Sequence, residues 1–419
     1  MEETTSPVIL DRSAHPISRR DIDPDALKVL YRLSRHGFKA YLVGGAVRDL
    51  LLGKKPKDFD VATDARPGQV KKLFSNCFLV GRRFRLAHIR FRGNKIIEVA
   101  TFRRDPDPEH DSPTDIHNTF GTPVQDALRR DITMNALFYD IETFSVIDFV
   151  GGLEDIANRR VRVIGDPPGR FSEDPVRMWR VLRHASRLGF AVDEHAARAI
   201  RDQRGLLAGC SGARLYAELN KDLSYGKARE TFSLLMEYGL LSILLGAVGE
   251  RLEQDASLAG AFLDLMGAHD RMLASGGKFE ATVAYSLLLW PWACATLMSG
   301  SAPGTDRARL LAEEIERAGM IVTIPKGLRS SAVHVILAVN AMMRSLETGR
   351  LKTSLMGRSD YGTALRVFAL VSGIPVSDGK DPFLELFRAR YPGVRERRAR
   401  KRRRRRRRRP QGNEPSDTA

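Results

Sequence analysis

Strand signals in this 419-residue chain stop near Gly165. Before that point short apolar runs alternate with helical stripes. After it, apolar residues recur at i, i+3, i+4 spacing almost to Phe387. A chain patterned this way cannot carry one sheet along its whole length. It has to close an α/β head of roughly 140 residues and build the rest from helices. The expected division is a flexible leader over 1–24, a head over 25–164, a helical neck over 165–225, a helical body over 226–392 and a disordered Arg-rich tail over 393–419.

Turn residues punctuate the head. The spacing predicts a helix from Pro24 to His36, with Leu27, Leu30 and Tyr31 on one face and Gly37 as its stop. Lys39 to Val43 reads as a strand ending in Gly44-Gly45, with a helix starting by Val47. Phe59 to Thr63 is a further strand and Arg66 to Phe74 a helix. Ala87 to Phe91 and Ile96 to Phe102 are strands joined at Gly93-Asn94, a hairpin signal. Arg103 to Asn118 is polar and Pro-interrupted, so a mobile loop is expected there. Past Gly165, Ser172 to Arg180 (SEDPVRMWR) reads as one helix opening, with Ser172 as N-cap and Pro175 tolerated in the first turn.

Charge narrows the partners. The chain carries 68 Lys and Arg against 51 Asp and Glu, a net +17. Between Arg395 and Arg409 lie 13 basic residues and one acid. Such a block cannot bury an apolar face, so it is expected to be disordered alone and to bind a polyanion, nucleic acid before an anionic membrane. Arg397, Arg398, Arg402, Arg405 and Arg409 are its candidate RNA-binding residues. Cys77, Cys210 and Cys294 are far apart and form no CxxC, which argues against a disulfide scaffold or structural zinc and for a reducing, cytoplasmic compartment. The first fifteen residues do not read as a secretory signal. The most apolar stretch, Ala281 to Met298, is broken by Pro291 and is expected to be a core helix, not a membrane span.

The candidate chemistry starts at Gly44-Gly45-Ala46-Val47-Arg48-Asp49, followed nine residues later by Asp58-Phe59-Asp60. A glycine pair at a strand end lets backbone amides approach a phosphate, and the helix start behind it favours the same anion. Arg48 sits in that first turn. Taken alone, the turn is as readily structural as functional. Asp58 and Asp60 sharpen it, because i and i+2 on a strand share a face and two adjacent carboxylates call for a cation such as Mg²⁺. Glu98, in the apolar run Ile96 to Val99, is either a third carboxylate of that site or a partner for Arg103. Arg129-Arg130-Asp131-Ile132-Thr133-Met134-Asn135 can hold a triphosphate and ribose, or be a charged capping loop. Asp174 and Arg177, read as i, i+3 neighbours on one helix face, form either a surface ion pair or a base reader. A carboxylate beside a guanidinium matches the amine and ring-nitrogen edge shared by adenine and cytosine, and rejects uracil and guanine.

Five ordered motifs, LVGGAVRD (Leu42 to Asp49), DFD (Asp58 to Asp60), RRDITMNA (Arg129 to Ala136), DFVGGLEDI (Asp148 to Ile156) and EDPVRMWR (Glu173 to Arg180), resemble the class II nucleotidyltransferases, the bacterial poly(A) polymerases and tRNA CCA-adding enzymes. The resemblance implies an α/β polymerase-β-like nucleotidyltransferase head followed by an all-α neck and body. It implies catalytic roles for Asp58, Asp60 and Asp131, with Asp58 and Asp60 holding two Mg²⁺ ions (Mn²⁺ as a substitute) and Glu98 as a supporting carboxylate. Gly44, Gly45, Arg48, Arg130 and Asn135 would bind triphosphate and ribose, and Asp174, Arg177, Arg180 and Arg183 would surround the base.

The segment Leu79 to Ile89, the stretch Gly53 to Lys57 and the Arg-rich extension are similar to the poly(A) polymerase branch. The implied reaction is template-independent attack of an RNA 3′-hydroxyl on the α-phosphate of ATP. The alternatives are CCA addition to tRNA and a non-catalytic RNA-binding relative. The implied partners are RNA 3′ ends and ATP, with RNA-degradation or RNA-chaperone proteins beyond them. A monomer without a membrane is the expected state.

Overall fold

The computed structural model describes residues 6–81, 86–105, 119–298, 306–374 and 381–392. The loop expected over Arg103 to Asn118 falls largely outside these residues, as do Arg82 to Arg85 and the Arg-rich segment with Arg397, Arg398, Arg402, Arg405 and Arg409. The chain divides into two compact units, Met1–Cys210 with Ser233–Ile243, and Ser211–Phe232 with Leu244–Ala419.

The first unit is built on a mixed sheet of β1 (Val8–Leu10), β2 (Ala40–Val43), β3 (Asp60–Thr63), β4 (Cys77–Val80), β5 (Leu86–Arg90), β6 (Ile96–Thr101), β7 (Leu137–Asp140) and β8 (Val146–Asp148). Their spatial order is β1-β8-β7-β2-β3-β6-β5-β4. Only the β3–β6 pair is parallel among these neighbours. The hairpin between β5 and β6 turns where expected, with Gly93 and Asn94 both at positive φ (73° and 61°). β4 was not foreseen: its four residues show no clean alternation, and Phe78 and Val80 remain exposed at the sheet edge.

The leader is not loose where it is described. β1 pairs antiparallel with β8, and Ile17 and Ile22 are buried in the head's main core with Val29, Leu30, Leu42 and Val61. Two isoleucines among polar neighbours are a weak sequence signal, but burying each contributes about 1.5–3 kcal/mol, enough to hold a short segment down. Helix α1 (Pro24–Arg35) opens on Asp23, whose Oδ1 accepts from Asp25 N at 2.8 Å, and stops at Gly37 as predicted. Helices α2 (Gly45–Leu51), α3 (Pro67–Leu73), α4 (Pro123–Leu128) and α5 (Gly152–Ala157) complete the head. A small second cluster, including Val43, Ala62, Phe102, Ala136 and Phe138, fills the opposite sheet face.

Past Gly165 the single helix expected from Ser172 is two helices, α6 (Pro167–Glu173) and α7 (Val176–Leu188). Ser172 is no N-cap: it lies inside α6 and its Oγ donates to Pro168 O at 3.0 Å. Pro175 has no N–H and pushes the residue before it out of the helical region, so Asp174 is extended at φ −146°, ψ 90°. Asp174 takes over the cap, its Oδ1 accepting from Val176 N at 3.2 Å. Asp174 and Arg177 are therefore not neighbours within one helix. The packing boundary also falls beyond the expected 164, because α7 and α8 (Glu194–Gln203) bury Trp179, Leu182 and Ile200 within this first unit.

The rest of the described chain is helical: α9 (Gly212–Tyr225), α10 (Ala228–Glu237), α11 (Leu241–Leu245), α12 (Ala247–Gln254), α13 (Ala256–Ala274), α14 (Ala281–Met298), α15 (Arg307–Arg317), α16 (Lys326–Thr348), α17 (Tyr361–Val371) and α18 (Pro382–Arg390). The apolar stretch expected as a core helix is α14, with Pro291 inside it and Val283, Leu287, Leu288 and Leu289 fully buried. Among the described residues no helix is long and apolar enough to cross a membrane.

Candidate active site

Sheet register assembles the site. Asp60 opens β3 and pairs with Val43, the last residue of β2, so its carboxylate stands one residue from the Gly44-Gly45 turn. On its other side Asp60 pairs with Glu98, and Glu98 pairs with His88 of β5. Directly paired residues share a face. Three neighbouring strands thus present Asp60, Glu98 and His88 in a row. His88 Nε2 lies 3.5 Å from Glu98 Oε1, so the partner of Glu98 is His88, not Arg103. Asp58 precedes the strand rather than lying on it.

Desolvation and neighbouring carboxylates both bear on Asp60. Although accessible to solvent, its carboxyl is pushed up to about 6, first by desolvation, then by the Glu98 and Asp58 charges, with Arg130 pulling the other way. Carboxylates pressed together in this way are relieved by a hard cation, to which Asp58, Asp60 and Glu98 offer oxygen donors, with the His88 imidazole beside Glu98. Among the described residues no three such groups converge into a ready-made metal cage.

Two guanidiniums face the glycine turn. Gly44 holds φ +72°, ψ −138°, a region open to glycine, and a Cβ there would meet Arg130 Nη1 at 3.3 Å. A Cβ on Gly45 would meet Arg48 Nη2 at 3.4 Å. Arg130 is aimed by Asp126, which accepts from its Nε and Nη2 at 3.2 and 2.9 Å, by Asn135 O at 3.0 Å, and by the Phe138 ring beneath it. Buried Arg48 donates to Asp49 Oδ1 and, at 2.5 Å, to Asn135 Oδ1.

The third group lies on α7. Arg177, Arg180 and His184 recur at i, i+3, i+7 and share a face. Asp131 receives Arg177 Nε and Arg180 Nη1, each at 2.9 Å, while Asn135 Nδ2 donates to His184 Nε2 at 3.3 Å. Burial, then the Arg48, Arg183, Arg187 and Arg180 charges, hold His184 well below the ordinary histidine range, so it is neutral and Nε2 accepts. Burial alone would raise Asp131; Arg180 and Arg177 outweigh it and lower its pKa. Arg177 Nη1 is taken by Glu173 and Arg170 O, while Nη2 takes part in none of these bonds. Arg183 is buried, 6.0 Å from the Trp179 ring centre.

The predicted residues therefore fall into two clusters. Asp58, Asp60, Glu98 and Arg130 gather beside the turn with Gly44, Gly45 and Arg48. Asp131, Arg177 and Arg180 form an ion-paired joint, and Asn135 ties the two together. Sequence reasoning missed Asp49, His88, Asp126, Glu173 and His184. The i, i+4 spacing of Asp126 and Arg130 could have flagged one of them. Asp49 and Glu173 also have local partners, Arg48 next door and Arg170 and Arg177 at i, i+3 and i, i+4, whereas His88 and His184 meet theirs across the sheet or on another element.

A glycine turn, a strand-end carboxylate pair and flanking guanidiniums on this mixed sheet define a nucleotidyltransferase head. Residues 40–162 match the poly A polymerase head domain, and residues 189–248 match the probable RNA and SrmB-binding site of polymerase A. These two segments therefore resemble the poly A polymerase family, a nucleotidyltransferase family that generally uses divalent metal ions. It is 43% identical over 294 residues to poly(A) polymerase I of Salmonella typhi, a match covering 67% of this chain and 63% of that protein. It is 40% identical over 219 residues to the CCA-adding enzyme of Geobacillus sp. (strain WCH70), covering 52% and 54%. The crystal structure of the Bacillus stearothermophilus CCA-adding enzyme with CTP superposes with a TM-score of 0.65 at 29% identity, covering 88% of this chain and 83% of that one. The chain thus spans less than two thirds of the length of the curated relatives it matches.

Proposed function

We propose that this protein adds AMP from ATP to RNA 3′ ends without a template. The observation that carries the reading is the register Val43–Asp60–Glu98, which sets an acidic row beside the glycine turn. Two Mg²⁺ ions, held by Asp58 and Asp60 with Glu98 in support and replaceable by Mn²⁺, would activate the attacking hydroxyl and neutralise charge on the leaving pyrophosphate. The chain's own residues do the rest. The Gly44-Gly45 backbone lets the triphosphate close in, and Arg130 and Arg48 add positive charge from either side of the turn. Asp174 and Arg177 read the base edge, Arg177 through its Nη2, with Arg180 and Arg183 behind them. Asp131 acts as a positioning residue that holds Arg177 and Arg180 in place. The helical neck and body, and the Arg-rich segment, would hold the RNA in a cytoplasmic monomer.

The longer and closer match to poly(A) polymerase I supports AMP addition over CCA addition. The likeness to a CCA-adding enzyme solved with CTP keeps that second reading in view. Primer extension with each NTP separately decides between them, using a generic oligoribonucleotide and a tRNA lacking its 3′ CCA. Long ladders from ATP on the generic RNA are expected. Extension confined to C, C and A on the tRNA would replace this reading with the second.

A further inference from the structure

A second cationic site lies in the helical unit, outside both matched domains. A cavity of about 500 Å³ is lined by Arg307 of α15, one face of α16 and residues 350–358. Five of its lining residues are basic, Arg307, Arg344, Arg350, Lys352 and Arg358, and none is acidic. Only Arg358 makes a salt bridge among the described residues, with Asp360. Apolar side chains such as Leu337 and Leu355 share the lining, and Asn340 stands one turn before Arg344.

The bland account is a solvated helix end. Helix α16 closes at Gly349, and its carbonyl end attracts cations. That explains Arg344 or Arg350. It does not explain Arg307, which comes from another helix, or Lys352, which lies past that terminus; Arg358 is held by Asp360. Arg307, Arg344, Arg350 and Lys352 make no salt bridge among the described residues, and like charges gathered round a concavity repel each other and are stabilised by an anion. The volume suits a nucleotide-sized group.

We infer that this cavity binds consecutive phosphates of a single RNA strand, with the ribose and base resting on its apolar lining. The inference rests on the reading above in that the polyanion is RNA. The test therefore measures binding without NTP or metal, so a failure of catalysis and a failure of this site are separable. Anisotropy of a labelled 20-nucleotide RNA is followed against salt for the full chain. The comparisons are the pair Arg344→Gln/Arg350→Gln, the pair Arg307→Gln/Lys352→Gln on different elements, and Arg309→Gln, whose exposed side chain faces Glu313, as control.

Each pair should reduce the log–log salt slope by about 1.4 and weaken binding about 10- to 30-fold at 0.1 M salt. The control should keep the parent slope. Parent slopes in both pairs, with melting curves that report folded protein, would overturn the site. So would full displacement of the RNA's contribution from this site by inorganic phosphate or ATP at millimolar concentration, which would mark a small-anion pocket.

Discussion

Asp60 is more stable protonated in the folded head than in the unfolded chain, since its pKa moves from 3.8 to about 6. The sign follows: without metal, stability falls as pH rises between those values, because the folded state then binds the extra proton. Asp60→Asn removes this charge while keeping the shape. The variant should melt no lower than the parent at pH 7 and bind RNA as tightly, yet lose AMP incorporation about a thousandfold or more in single turnover. Retained incorporation would break the assignment of Asp60. Its place beside the glycine turn was readable because a DxD next to such a turn is local. His88 and His184 were not, because their meaning depends on Glu98 across a strand pair and on Asn135, 49 residues away.

The break between α6 and α7 places the segment proposed to read the base at a helix junction fixed by ion pairs. Pro175 was visible in sequence, but its consequence was misjudged: it sits at a helix start, and that start is a new one. What docks α7 onto the head is Asp131, clamped by Arg177 and Arg180 with about a quarter of its side chain exposed. Its depressed pKa contributes stability that is present above the unfolded value of 3.8 and lost as pH falls through the lower folded value. Asp131→Asn should therefore lower stability at pH 7 by about 2 kcal/mol, roughly 4–8 °C in Tm. Melting at pH 7 and pH 3 checks this: the gap to the parent should shrink at the lower pH. An equal gap at both would mean the joint is held by packing rather than charge.

The change from strands to helices near Gly165 was legible as a change of period, and the positions of α14 and its proline followed from composition alone. The compact units were not legible, because α7 and α8 carry helical periodicity yet bury Trp179 and Ile200 in the first unit; periodicity names an element and not its neighbour. Charge is similarly blind to place. The +17 of the chain is concentrated in the 13 basic residues between Arg395 and Arg409, yet the cavity of α15 and α16 gathers five more from dispersed positions. The two sources should make separable contributions to RNA binding. If about eight tail charges meet phosphates, deletion of residues 393–419 should flatten the salt slope by about 5.6 and weaken binding at low salt, while AMP addition to saturating primer persists. Combined with Arg344→Gln/Arg350→Gln, the slope changes should add, since sites without shared partners couple weakly. A deletion that leaves the slope unchanged would remove the Arg-rich segment from RNA binding and leave the folded helical unit as the holder of the strand.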